Sequence, residues 1–203
     1  MAPVRYLALG DSYTIGEGVD SVDTWPVRLL ARLVHGGQDA AAPDVVAQTG
    51  WTSDELLAAL DRAVPTPPYT LVSLLVGVND QYRDRGVDEH LPHFNRLLNQ
   101  AIRFAGGDAS RVFVVSIPDW GVSEFGRGDA RGGDVIRAAI DAYNRAQHEL
   151  CGRRGIAWVD ITAVSRALAG NAAMFVDDRL HPSAAQYARW LEAIEPVAQR
   201  CLP

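Results

Sequence analysis

Five short apolar runs, each followed by a stretch whose apolar residues recur at helical spacing, restrict this chain more than any other feature. The runs are Val4 to Leu9, Val45 to Ala47, Leu71 to Val76, Val112 to Ile117 and Ile156 to Val159. Each is too short for an ordinary helix and is closed by turn residues, which marks it as a strand. Leu71 to Val76 is the most apolar of them, as a strand covered on both faces must be, and it belongs at the centre of a parallel sheet. Parallel strands need crossover helices, which are right-handed. The expected architecture is therefore a three-layer α/β/α sandwich around a five-stranded parallel sheet in the order 2-1-3-4-5, with residues 1–203 forming a single domain.

The helical stretches carry their own start and stop signals. Thr24 to Val34 places Val27, Leu30, Ala31 and Val34 on one side and stops at Gly36-Gly37. Thr52 to Glu55 has capping-box spacing and opens a helix with Leu56, Leu57, Leu60 and Val64 inward, closed by Pro65, Pro67 and Pro68. Further helices are expected over 88–104, 135–154 and 183–200, the last capped by Ser183 with Gln186. Thr14 to Asp23, Gln81 to Gly86 and Asp119 to Gly133 read as loops, the third long enough to be functional.

Composition excludes several classes of partner. A net charge of −6 argues against nucleic acid and anionic membranes, which favour basic surfaces. No run approaches the roughly 18 to 20 apolar residues that cross a bilayer. Asp11 and Ser12 interrupt the first apolar run, so a signal peptide is not expected and the chain reads as cytoplasmic. Cys151 and Cys201 have neither disulfide-framework nor metal-ligand spacing and read as packing residues on helices. Small neutral molecules remain as partners, and the oligomeric state stays open.

In an open parallel sheet, ligands bind beyond the carboxyl ends of the strands, where the strand order reverses. Four segments put polar residues at that edge: Gly10-Asp11-Ser12 after the first strand, Gly50 after the second, Asn79 after the third, and Asp178 with His181 before the last helix. Gly-Asp-Ser by itself also describes an ordinary turn and helix cap; the common placement of the four is the argument. Together they suit acyl transfer. A serine hydroxyl needs an adjacent base, which His181 can be, and Asp178 can accept the Nδ1 proton of the imidazole. Asp177 is a rival for that role. The N–H groups of Ser12 and Gly50 and the side-chain amide of Asn79 can donate to a tetrahedral oxyanion.

These residues resemble the four blocks of the SGNH hydrolases, the GDSL esterases and lipases: Gly10-Asp11-Ser12, Gly50, Gly77-Val78-Asn79-Asp80 and Asp178-Arg179-Leu180-His181, in the family's order. The resemblance implies a flavodoxin-like sheet, Ser12 as nucleophile, Gly50 and Asn79 in the oxyanion hole, Asp178 and His181 completing a triad, and no cofactor. It allows simple esters, thioesters, lysophospholipids or acetylated sugars as substrates. Short to medium acyl esters are favoured, because no long apolar lid helix is evident. Tyr13 departs from the family pattern, which has leucine there, and is expected to alter packing beneath the nucleophile. The rival from another class is a flavodoxin-like module binding phosphate or flavin through Ser12 to Gly18. Against it stand Asp11, Glu17, Asp20 and Asp23, which repel an anion, and the lack of a glycine-rich phosphate motif.

Other polar and aromatic residues have quieter readings. Trp120, Val122 and Phe125 form either an apolar lip for an acyl chain, with Tyr82 opposite and Met174-Phe175 leading toward the acid, or anchors for long loops. Arg83, Arg85, Arg127 and Arg131 either salt the rim or meet an anionic headgroup. His90 and His93 lie one helical turn apart, but without a third ligand they read as a solvated helix start rather than a metal site. His35 and His148 are expected to face solvent. Asp80 is expected to bond its own loop's backbone, and Asp11 to be structural.

Overall fold

The structure, a computed structural model, describes residues 3–34, 41–62 and 65–203. Strands β1 (Tyr6–Gly10), β2 (Asp44–Ala47), β3 (Leu71–Leu75), β4 (Val112–Val115) and β5 (Ala157–Val159) form one parallel sheet in the order β2-β1-β3-β4-β5. The helices in chain order are α1 (Ser12–Ile15), α2 (Trp25–Leu33), α3 (Ser53–Arg62), α4 (Val78–Tyr82), α5 (Val87–Phe104), α6 (Glu124–Arg127), α7 (Gly133–Arg153), α8 (Thr162–Ala167) and α9 (Ala184–Arg200). The Gly36-Gly37 stop, Val64 and His35 lie outside the described residues.

Alternation along the strands divides the core into two layers. Tyr6 and Ala8 of β1, Leu71 and Leu75 of β3, and Phe113 and Val115 of β4 face α2, α9 and the first half of α7. Leu7 and Leu9, Val72 and Leu74, and Val112 and Val114 face α3, α5 and Cys151 of α7. Both sides of β1, β3 and β4 are thus dry, as a parallel sheet demands. Burying a leucine-sized or phenylalanine-sized side chain in such a layer contributes about 1.5–3 kcal/mol. Ser73 is the polar exception within β3, and its hydroxyl lies 2.7 Å from the hydroxyl of Tyr6, so neither is left unpaired. Both cysteines are buried and free.

Three of the expected loops contain short helices. The segment after β1 begins with α1, Gln81 and Tyr82 end α4, and 119–133 holds a single 3₁₀ turn at Trp120–Val122 followed by α6. These elements span only three to five residues, too few for an apolar period to register. For the same reason the six-residue α8 has no signature in the pattern. The capping box at Thr52 is half made: Glu55 accepts from the Thr52 N–H at 2.9 Å, while the Thr52 hydroxyl donates to the carboxylates of Asp54 and Glu55. Ser183 caps α9 as expected. His148 is exposed, with its ring stacked on Trp158.

Candidate active site

Because every strand runs the same way, the carboxyl ends of β1, β2 and β3 share one edge, and the chain steps from β2 across β1 to β3 there. The turn after β1 is tightly built. A β-carbon on Gly10 would fall 2.1 Å from Thr14 Oγ1 and 2.5 Å from the Leu75 carbonyl oxygen, so only glycine fits. Asp11 caps α1 by accepting the Tyr13 N–H at 3.0 Å, which sets Ser12 as the first helical residue. At that position the Ser12 N–H has no intrahelical carbonyl partner. From below, Trp25 Nε1 and the Tyr187 hydroxyl both donate to the Tyr13 carbonyl at 3.1 Å, pinning the turn to α2 and α9.

His181 arrives on a second tight turn. Val176 N–H donates to the His181 carbonyl, an antiparallel bridge pairs Phe175 with Pro182, and Arg179 takes a left-handed conformation with φ of 61°. Asp178 Oδ1 accepts the N–H groups of Leu180 and His181 at 2.8 and 2.9 Å, which leaves Oδ2 aimed at His181 Nδ1, 2.5 Å away. Burial works against charge on Asp178, but the bonds from the His181 ring and the two N–H groups outweigh it and hold the carboxyl below its ordinary pKa. Asp178, not Asp177, therefore faces the imidazole. On its other side, His181 Nε2 lies 2.9 Å from Ser12 Oγ.

Gly50 and Asn79 border the same cavity. Gly50 has φ of 84°, and its carbonyl accepts from Arg83 at 2.7 Å. Asn79, the second residue of α4, donates one amide hydrogen to the Trp51 carbonyl at 3.0 Å and keeps the other. The cavity is about 180 Å³, and its wall includes Ser12, Gly50, Asn79, Tyr82, Trp120, Phe125 and His181.

Several sequence expectations need correction. Val122 does not line the cavity; the 3₁₀ turn directs it inward, where it is 8 % exposed. Tyr82 does not oppose Trp120 but packs edge-on against it, with ring centroids 5.4 Å apart. Trp120 is both lip and anchor, since its ring borders the cavity while Nε1 donates to Gln81 at 2.8 Å. Met174 and Phe175 are absent from the cavity wall and serve the turn that carries His181. The four arginines are engaged within the protein: Arg83 with Glu55 and Gly50, Arg85 with Asp54, Arg127 with the Val122 carbonyl, and Arg131 with Asp129 and Asp84.

His90 is not solvated; it is fully buried, because α4 and α7 close over the start of α5. His93 is half-buried, and among the described residues no group of three or more His, Cys, Asp or Glu is arranged to hold a metal. The Asp80 carboxylate bonds Ser53 rather than its own loop. Sequence reasoning missed Tyr13, Thr49, Val78 and Leu180 as wall residues. Each adjoins a residue singled out at the same edge, and that adjacency was the available signal.

The model of the GDSL-like lipase/acylhydrolase family matches residues 8–189. By sequence, no curated protein matches the chain. Solved structures do. TesA is 22% identical, with 98% of this chain and 99% of that chain covered and a TM-score of 0.74. Axe2, an acetylxylan esterase from Geobacillus stearothermophilus, is 19% identical, with 96% and 94% covered and a TM-score of 0.74. A phospholipase A1 from Streptomyces albidoflavus NA297 is 20% identical, with 97% and 98% covered and a TM-score of 0.67. The structural likeness carries the α/β fold; the family match, which runs from β1 into α9, carries more. It shows that the chain belongs to the GDSL-like lipase/acylhydrolase family and is a carboxylic ester hydrolase of the SGNH type.

Proposed function

We propose that this chain, as one catalytic domain, cleaves short to medium acyl esters through an acyl-enzyme on Ser12, without a metal. The observation that carries the reading is the 2.9 Å approach of His181 Nε2 to Ser12 Oγ, with Asp178 on the opposite ring nitrogen. His181 takes the hydroxyl proton as Ser12 attacks the ester carbonyl, and Asp178 holds the tautomer and stabilises the imidazolium. The tetrahedral oxyanion is held by the N–H groups of Ser12 and Gly50 and the free amide hydrogen of Asn79. Collapse returns the proton to the leaving alkoxide, and water activated by the same imidazole releases the acid.

The substrate class rests on the cavity. Its wall contains Tyr13, Val78, Tyr82, Trp120, Phe125 and Leu180, which suits an apolar acyl group, and about 180 Å³ is small for a long chain. A carbohydrate deacetylase is the nearest alternative, in keeping with the acetylxylan esterase among the similar structures. A lysophospholipase or thioesterase on the same machinery is the other. A phosphate or flavin module is disfavoured because Glu17 bonds Thr49 at the cavity wall, which puts negative charge where an anion would enter.

The test is kcat/KM for nitrophenyl esters of two to twelve acyl carbons beside an acetylated xylo-oligosaccharide, with fluorophosphonate labelling located by mass spectrometry. Label on Ser12 and an optimum at short to medium length are expected. Preference for the sugar would move the assignment to the deacetylase, and no label on Ser12 would remove the acyl-enzyme.

A further inference from the structure

Gly50 and Asn79 come from different strand ends, so two donors aimed at one oxygen need their loops locked together. Asp80 is placed to do this. It is fully buried and follows Asn79 directly, while Ser53, the first residue of α3, follows Gly50 by three. Asp80 Oδ2 accepts the Ser53 N–H at 2.9 Å, and Oδ1 accepts the Ser53 hydroxyl at 2.8 Å. This bidentate clamp ties the segment carrying Gly50 to the one carrying Asn79. A carboxylate on the first turn of α3 also meets the positive end of the helix dipole. Arg85 stands 3.6 Å from Oδ1 and balances its charge.

Behind the clamp lies a directed chain of hydrogen bonds. Gln147 Nε2 is 2.9 Å from both the Val76 carbonyl and His90 Nε2. A carbonyl only accepts, so the nitrogen of the Gln147 amide must face it. His90 Nε2 then accepts the second amide hydrogen, which leaves the proton on Nδ1. That Nδ1 is 3.2 Å from the Ser53 hydroxyl, which passes its own hydrogen to Asp80. Gly77 lies flat on this chain: its φ is 125°, and a β-carbon there would come 3.0 Å from both His90 Cε1 and Gln147 Nε2. The backbone just before Asn79 is thus seated on the imidazole.

We propose that Asp80, backed by His90 and Gln147 through Ser53, is a positioning residue that keeps the Gly50 N–H and the Asn79 amide converged on one oxyanion. The proposal rests on the oxyanion-hole reading given above.

The experiment is a double-mutant cycle. Asp80→Asn and Ser53→Ala are measured alone and combined with Asn79→Ala, reading kcat and KM on a nitrophenyl ester and thermal unfolding of each variant. Asp80→Asn is expected to lower kcat roughly 10- to 100-fold with KM held within about twofold, because a slightly misplaced donor is felt only in the transition state. Ser53→Ala, which keeps the backbone half of the clamp and a folded protein, should move kcat in the same direction by less. Both losses should shrink several-fold once Asn79 is alanine, since the groups act through one another. Equal losses with and without the Asn79 side chain, or lower melting temperatures with unchanged kcat, would mean that Asp80 is structural only and would overturn the proposal. If Asn79→Ala itself leaves kcat intact, the oxyanion reading fails first and takes the proposal with it, a result the cycle separates from the others.

Discussion

The ring of Tyr13 stands against the imidazole of His181, with centroids 5.7 Å apart and planes tilted by 59°, and its other neighbour is Trp190 at 6.2 Å. The residue after the nucleophile thus forms part of the wall behind the proposed base. Tyr13→Leu, the residue of the family pattern, keeps the backbone carbonyl that Trp25 and Tyr187 bind but leaves a gap beside the ring. Stability should fall by about 1–3 kcal/mol. Loosening His181 should also cost roughly 3- to 10-fold in kcat. Thermal melts and steady-state rates on one ester check both.

Ser12→Ala should lose turnover by up to about a million-fold while melting like the parent. Asp178→Asn should cost on the order of 10⁴-fold, because an amide that donates toward Nδ1 favours the wrong imidazole tautomer. His181→Ala should cost about as much as Ser12→Ala, because the serine hydroxyl is then left without a base. Turnover that survives the loss of the imidazole would remove His181 from the role.

Asn79→Ala should lower kcat about 100- to 1,000-fold with little change in KM. Gly50→Ala tests the second donor through the backbone. Its β-carbon would approach only Arg83, at 3.9 Å, so the cost is conformational, arising from φ of 84°. That strain is about 1–2 kcal/mol. A loss of kcat larger than the loss of stability would show that the Gly50 N–H acts on the reacting carbonyl.

Asp11 offers a pH test of stability. Burial, reinforced by the charge of Asp80, outweighs the Tyr13 N–H bond and pushes its pKa from 3.8 up to about 8, and Oδ2 has no partner. Between those values the unfolded chain has released the proton and the folded chain retains it. The contribution of Asp11 is therefore fully present below about pH 3.8 and lost as pH rises toward 8. Asp11→Asn retains the acceptor for Tyr13 and cannot ionise. Its melting temperature relative to the parent should rise steadily over that span, as scanning calorimetry at several pH values would record.

Chelation should leave activity unchanged, since the imidazole supplies the activation that a metal-bound hydroxide would otherwise provide. Activity that disappears with a chelator and returns with added zinc or magnesium would contradict the serine mechanism.

The strands, the sheet order and the edge at which Ser12, Gly50, Asn79 and His181 gather were legible in the sequence alone. Apolar period, strand length and turn chemistry act within a few residues of each other, so a short window records them. Spacing favoured Asp178 already; the exclusion of Asp177 needed the turn that the left-handed Arg179 closes. The burial of His90 could not be read locally, because Asp88, Glu89 and His93 give the start of α5 a polar look. Groups distant in sequence enclose the ring, among them Ser53, Gly77, Tyr143 and Gln147, the last 57 residues further on. Val122 faces inward for a similar reason, set by a 3₁₀ turn too short to leave a period. Residue chemistry and local folding are written along the chain; which groups meet, such as Ser12 and His181 across 169 positions, is decided by how distant elements pack. No window of sequence contains both sides of such a contact.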